Sequence, residues 1–231
     1  EKCIKSVLSI NYSNYQIIVI DNASTDGSIE AVNRKFPSVD IIKLRRNYRF
    51  SGGYNKFFKN FNNKSDFFCL LLNNDTIVDP NILTSFNNAR KLKGDHHIYG
   101  AKIFYYNNPN LLWYAGGKIS QRYGLATHYG IRKTEDYSPN QITLTDYVTG
   151  CCLFTSAKVI KELNGFDEKF NMYGEDVDFC IRAKVININS YFCPEAKLWH
   201  HVSASLGRNA SIKKIIRKTK SIFRLYYKHY R

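Results

Sequence analysis

Three apolar runs, each closing on a polar cluster and each followed by a segment of helical spacing, constrain this chain more than any other feature. YQIIVID (15–21) closes on Asp21, VDIIKLRRN (39–47) on Asn47, and DFFCLLLNND (66–75) on Asn73, Asn74 and Asp75. The short run at 15–21 fits a buried parallel strand, and the other two segments also read as strands. Between and after them, Ile29, Val32 and Phe36 recur with helical spacing until Pro37. NKFFKNF (55–61) reads as a short helix, and Pro80 suits the first turn of one that runs to about Leu92. Strand alternating with helix predicts an α/β fold with a mainly parallel sheet flanked by helices. Ligands of such sheets bind beyond the carboxyl ends of the strands, so loops 21–28, 47–55 and 73–79 are expected to share one crevice.

The remainder is less regular. EKCIKSVLSI (1–10) places Cys3, Ile4, Val7 and Leu8 on one helical face. IYGAKIFYY (98–106) and DYVTGCCLFTS (146–156) read as strands, while 106–145 has no clear period and is expected to be irregular with short strands. Ser156 is a plausible N-cap for a helix with Gly165 past its end. GFDEKFNMYGEDVDFCIRAKV (165–185) is expected to be a loop entering a helix, and SYFCPEAKLWHHVSAS (190–205) a strand, a turn and a histidine-bearing end. No repeat, linker or low-complexity segment interrupts the chain.

Composition narrows the classes. With 44% hydrophobic residues the chain can bury a sizeable core, and no apolar run is long enough to span a bilayer. Six cysteines without a CxxC pair point to buried thiols in a reducing compartment rather than a disulfide frame or a zinc site. With no secretory signal at the start, the expectation is a cytoplasmic protein. The net charge of +15 is uneven: from Arg208 onward there are nine Lys or Arg and no acid. Such a tail attracts phosphate, whether in anionic lipid, nucleic acid or a pyrophosphate-bearing substrate. The rest is only mildly basic, so charge alone does not argue for a nucleic-acid partner.

Several clusters admit two readings. Asp21, followed by Asn22 and Asp26, could cap a helix or accept hydrogen bonds from a base or ribose. NYRFSGGYN (47–55) could be a plain loop, or one whose Gly52 and Gly53 allow close backbone approach to phosphate. Asp75 could close a turn or hold a metal on a diphosphate, for which one or two protein carboxylates suffice. In GEDVDFCIR (174–182), Glu175, Asp176 and Asp178 could be an ordinary acidic helix start, with Asp178 and Arg182 as an i,i+4 pair. Three acids in four positions after an aromatic loop instead suggest a general base, kept ionised by the helix N-terminus. His200 and His201 leave a metal role open, since one carboxylate with one imidazole suits Mn²⁺ or a similar ion.

Taken in order, these segments resemble the inverting family 2 glycosyltransferases of GT-A fold, in particular their rhamnosyltransferase-like branch. VIDNASTDGS (19–28), NYRFSGGYN (47–55), LLNNDTIVDP (71–80), YVTG (147–150), GFDEKFNMYGEDVDFCIR (165–182) and HHVSAS (200–205) follow that pattern over nearly the whole chain. The resemblance implies a GT-A, Rossmann-like sheet that here lacks the first strand usual in relatives. It implies one glycosyltransferase domain over 1–207, with a nucleotide-binding half (1–95) and an acceptor and catalytic half (96–207), then a basic helical tail (208–231). It implies nucleotide-sugar contacts from Asp21, Asn22, Asp26, Asn47, Gly52, Gly53, Asn55, Asn73 and Asn74. Asp75 and His200 would hold Mg²⁺ or Mn²⁺ on the donor diphosphate. Asp176 would be the base, supported by Glu175 and Asp178, with Arg182 orienting them or meeting the diphosphate. The implied donor is a dTDP or UDP sugar, of dTDP-rhamnose or UDP-hexose type. The implied acceptor is a glycan or a lipid-linked sugar, in surface polysaccharide synthesis. Nucleic acid is not an expected partner. The basic tail is expected to dock on anionic membrane, placing the protein on the inner face of the cell membrane. The other reading is a nucleotide-sugar-binding domain, inactive without its first strand. Arg49, where relatives carry a small residue, and the single carboxylate of Asn73-Asn74-Asp75 depart from the pattern.

Overall fold

The computed structural model describes residues 1–60, 67–170, 172–202 and 212–231. Its elements begin with α1 (Lys2–Leu8), β1 (Ile18–Asp21), α2 (Ser28–Lys35), β2 (Asp40–Lys43) and α3 (Arg49–Asn60). Next come β3 (Phe68–Leu72), β4 (Thr76–Val78), α4 (Ile82–Lys93), β5 (Ile98–Tyr105) and β6 (Asn108–Tyr114). Then follow β7 (Gly117–Ser120), β8 (Leu125–His128), β9 (Thr143–Leu144), β10 (Cys152–Ser156) and α5 (Ala157–Glu162). The last three are α6 (Glu175–Val185), β11 (Ser190–His200) and α7 (Ile212–His229).

The fold is α/β with a mixed sheet. β1 and β2 pair in parallel, and the larger sheet has the order β3-β10-β5-β11-β4, with β6 beside β5 and β9 beside β11. β5 and β11 are parallel, whereas β10 is antiparallel to both of its neighbours, β3 and β5. The three strands β3, β5 and β11 therefore share a direction, and β10 runs against them. All five residues of β10 and seven of the eight in β5 are buried, as expected of central strands, and the one buried charge among them, Lys102, pairs with Glu135 at 2.8 Å. α4 buries Ile82, Leu83, Phe86 and Ala89 at helical spacing, and Phe86 stacks on Phe154 of β10 at 4.9 Å. Ser156 caps α5, its Oγ accepting from the Val159 amide, and Gly165 beyond it takes φ +68°.

Three local expectations need correction. The glycine segment is not a loop, because α3 starts at Arg49 and carries Gly52 and Gly53 in its first turns. Each glycine costs about 1 kcal/mol of helix propensity, and tertiary closeness outweighs it. A Cβ on Gly52 would lie 2.8 Å from Tyr48 Cβ, and one on Gly53 would lie 2.9 Å from Asn22 Nδ2. Pro80 precedes α4 rather than starting it, since Asn81 is the N-cap. Residues 146–151 are not strand: the chain turns there, and pairing begins only at Cys152.

α7 is docked on the domain. Its Ser221 and Leu225 are buried, and Ser221 Oγ donates to the carbonyl of Tyr173. Lys228 Nζ and His229 Nε2 each lie 2.7 Å from Asp178 Oδ1, and Lys228 also meets Asp167 at 2.7 Å. Residues 203–211, which include the end of the HHVSAS segment and the start of the basic tail, lie outside the described residues.

Candidate active site

Sheet register gathers one end of the site. His200, the last residue of β11, pairs with Thr76, the first of β4, and the His201 amide donates to the Asp75 carbonyl at 2.8 Å. Asp75 Oδ1 and His200 Nε2 thus stand 3.2 Å apart. Two ligands at right angles on one small divalent ion, each about 2.1 Å from it, lie about 3 Å apart, so the pair has the spacing of a shared cation. Among the described residues no group of three or more His, Cys, Asp or Glu could hold a metal. The protein supplies two donors, which fits an ion completed by a ligand's oxygens. His200 Nδ1 is buried without a hydrogen-bond partner among the described residues, where metal-bound histidines usually spend that nitrogen on a carbonyl or carboxylate. The fit rests on the Nε2–Oδ1 pair and on the chemistry of its two donors.

The same sheet end carries the second acidic group. β10 is antiparallel to β3, with Cys152 opposite Leu72, so the turn before β10 lies beside the turn after β3. The Asn73 amide donates to the Cys151 carbonyl at 3.0 Å, and the Gly150 amide donates to Asp176 Oδ2 at 2.8 Å. Asp176 Oδ1 accepts from the Val177 amide at 2.9 Å. Space here is tight, since a Cβ on Gly150 would lie 2.8 Å from Phe50 Cζ. Burial pushes the Asp176 carboxyl up from its ordinary value, and the two amides only partly oppose this. Where a helix N-terminus weakens the basicity of a carboxylate, this burial acts the other way and makes Asp176 a stronger base. Neighbouring Glu175 is buried, its Oε2 without a hydrogen-bond partner among the described residues, and burial together with the Asp176 charge raises it to about 8. Asp176, with two amide donors, is the member of the pair that ionises first.

A line of rings runs from His200 to Tyr147. Trp113 meets His200 edge-to-face at 4.6 Å and lies tilted against His128 at 4.5 Å. His128 Nδ1 lies 2.8 Å from the Tyr147 hydroxyl. Burial, and after it the Asp176 charge, raises Tyr147, so that hydroxyl keeps its proton. Sequence reasoning missed Trp113 and His128: they fall in the aperiodic stretch 106–145, and only folding brings them beside His200.

The expected nucleotide residues cluster as well. Asn22 bridges the loops, its Oδ1 accepting from the Tyr48 amide and its Nδ2 donating to the Arg49 carbonyl, both at 3.1 Å. Asn47 Oδ1 accepts from the Arg49 amide at 2.8 Å, and Arg49 takes φ +61°. Asp21 is buried and accepts from the Ser24 amide, whereas Asp26 is exposed and its carboxyl is lowered by Ser28. Asn73 is half-buried and Asn74 exposed in the turn before Asp75.

Three expected residues face elsewhere. Asn55 spends its amide on Phe166 and Glu168, holding the 165–168 loop. Asp178 is fully buried and bound to Arg182, Lys228 and His229. Arg182 also donates to the carbonyls of Leu163 and Gly165. In this geometry all three brace the loop and helices behind Asp176. A cleft of about 720 Å³ lined by Asn55, Glu168 and Arg182 includes none of Asp75, His200 and Asp176.

This mixed α/β sheet flanked by helices is the GT-A fold of glycosyltransferases. The chain belongs to glycosyl transferase family 2, whose model matches residues 1–163, a span that includes Asp75 but neither Asp176 nor His200. It is 24% identical over 206 residues to the O-antigen biosynthesis protein RfbC of Myxococcus xanthus, covering 84% of this chain but only 15% of that protein. It is 22% identical over 217 residues to an N-acetylglucosaminyl-diphospho-decaprenol L-rhamnosyltransferase of Mycobacterium tuberculosis, covering 84% of this chain and 68% of that one. Its fold is similar to GalNAc-T7 crystallised with UDP, GalNAc and Mn²⁺, with a TM-score of 0.66 at 14% identity, over 86% of this chain and 40% of that one.

Proposed function

We propose that this glycosyltransferase moves a sugar, with inversion, from a dTDP-rhamnose or UDP-hexose type donor to a glycan or lipid-linked acceptor in surface polysaccharide synthesis. The observation that carries the reading is the pair of acidic ends on one sheet edge: Asp75 with His200, and Asp176 joined to the adjacent turn through Gly150. Residues 1–95 supply the nucleotide side, with Asp21 facing the base, and residues 96–207 supply the acceptor side. Asp75 and His200 would hold Mg²⁺ or Mn²⁺, which when bound neutralises charge on the departing diphosphate. Asp176 takes the proton from the acceptor hydroxyl as its oxygen attacks the anomeric carbon from the face opposite the diphosphate. The names of the rhamnosyltransferase and O-antigen relatives support the sugar and pathway class.

A panel of UDP and dTDP sugars with Mg²⁺ tests this reading, with donor consumption and inverted product as readouts. One nucleotide series should turn over on adding a glycan acceptor. Binding without turnover of any donor would favour a binding domain instead.

No described helix is long and apolar enough to cross a membrane. We also propose that α7 lies on anionic bilayer at the inner face of the cell membrane. Its outer surface exposes Ile215, Ile216, Phe223 and Tyr227 among exposed Arg217, Lys220 and Arg224. The full chain should sediment with phosphatidylglycerol vesicles and release in high salt; equal binding to neutral vesicles would sink the electrostatic part.

A further inference from the structure

We propose that Trp113 and His128 form a sugar-binding subsite that holds the donor's transferred hexopyranose next to the cation-bound phosphate. The inference deepens the proposed transferase reading and rests on it. In an inverting transfer the sugar must bridge the phosphate it leaves and the hydroxyl that attacks it. Contacts run from Asp75 to His200, from His200 to Trp113, from Trp113 to His128 and from His128 to Tyr147. Trp113 packs on the candidate cation ligand His200 at 4.6 Å and on His128 at 4.5 Å, so both rings adjoin the place where a cation-bound phosphate would sit.

Both are equipped for a sugar. Trp113 is half-buried, and its indole N–H makes no hydrogen bond among the described residues. An indole offers an apolar face to the C–H side of a pyranose and an N–H to a hydroxyl. Pyranose sites commonly combine such an apolar wall with a few placed polar groups. His128 is half-buried too, and only its Nδ1 is engaged, by the Tyr147 hydroxyl. Tyr147 donating there leaves the ring proton on Nε2, which can donate to a sugar hydroxyl. Burial, with Lys218 and His200 nearby, lowers His128 to about 4, so the ring is neutral at working pH and suited to an uncharged hydroxyl. Packing fixes the pair further: a Cβ on Gly117 would lie 2.2 Å from Tyr147 Cε1, so β7 presses directly on the ring that orients His128.

The chain has two tryptophans, so Trp199→Phe leaves Trp113 as the sole indole reporter. That variant would be titrated with UDP, UDP-glucose, UDP-N-acetylglucosamine, dTDP and dTDP-rhamnose, all with Mg²⁺. At least one sugar nucleotide should shift Trp113 emission beyond its free nucleotide. In the otherwise native chain, Trp113→Ala and His128→Ala should each weaken that sugar nucleotide about tenfold, with free-nucleotide affinity unchanged; the unchanged term also reports that the variants fold. His128→Gln, which can still donate, should recover part of the loss. An unchanged ratio of sugar-nucleotide to free-nucleotide affinity in both alanine variants, or identical emission for both ligand types, would overturn the subsite while leaving the transferase reading intact. Failure of every nucleotide to bind would overturn both.

Discussion

Glu175 and Asp176 are adjacent in sequence yet differ in what each oxygen finds. Asp176 receives two backbone amides, whereas Glu175 Oε2 is buried with no partner among the described residues. A buried acid whose folded value is raised stays protonated after the unfolded chain has released its proton. The folded state then binds more protons than the unfolded one, and stability falls as pH rises. For Glu175 that window runs from its ordinary value, 4.5, to about 8. Glu175→Gln, which cannot ionise, should therefore gain on the native protein across this window, on the order of a few kcal/mol at its upper end. Urea unfolding of both proteins at pH 5 and pH 8 measures the difference; a gap that does not grow with pH contradicts the assignment. The raised Asp176 carboxyl likewise sets the acid limb of transfer above an ordinary aspartate's value. Activity should rise with pH through that limb, and a limb near 3.8 would show that Asp176 is not the titrating base.

At the scale of elements, the helix carrying the base is held from behind. Asp178, one turn into α6, takes Arg182, Lys228 and His229, and so ties α6 to α7 and to the 163–165 turn. Removing one partner of a buried charge cluster costs about 3–5 kcal/mol, because the remaining charges lose their counter-ion. Asp178→Ala should destabilise the fold by that order in urea unfolding and expose α7 to protease; a change under about 1 kcal/mol would make this brace unimportant. The i,i+4 pair of Asp178 and Arg182 was readable from the sequence, but Lys228 and His229 were not, since fifty residues separate them from Asp178. The same division runs through the elements generally. β1, β3, α4 and α5 announce themselves by apolar runs, period and caps. α3 hides behind two glycines whose low helix propensity misleads until their contacts with Tyr48 and Asn22 are seen. The hairpin strands between 106 and 145 have exposed and buried faces too short to leave a period, so Trp113 and His128 carry no local mark.

For the whole molecule, topology does the assembling. β10 runs against its neighbours and so returns its leading turn to the edge where β3 ends, while β11 delivers His200 to the start of β4. Asp75 and Asp176 are a hundred residues apart and meet one edge only because of that inserted antiparallel strand. The order of the motifs made both carboxylates legible as the two ends of a donor site. The buried state of Asp176, the neutral Glu175 and the row of rings from His200 to Tyr147 depend on packing that no local pattern encodes. The claim that these ends do separate work, donor binding at one and proton removal at the other, is tested by calorimetric titration of UDP and dTDP with and without Mg²⁺ into the native chain, Asp75→Ala and Asp176→Asn. The expected result is Mg²⁺-dependent binding of one nucleotide by the native chain, its loss by tenfold or more in Asp75→Ala, and its retention in Asp176→Asn with transfer reduced about 10²–10⁴-fold. Nucleotide binding that ignores both Mg²⁺ and Asp75→Ala, or an Asp176→Asn variant that transfers sugar at the native rate, would contradict it.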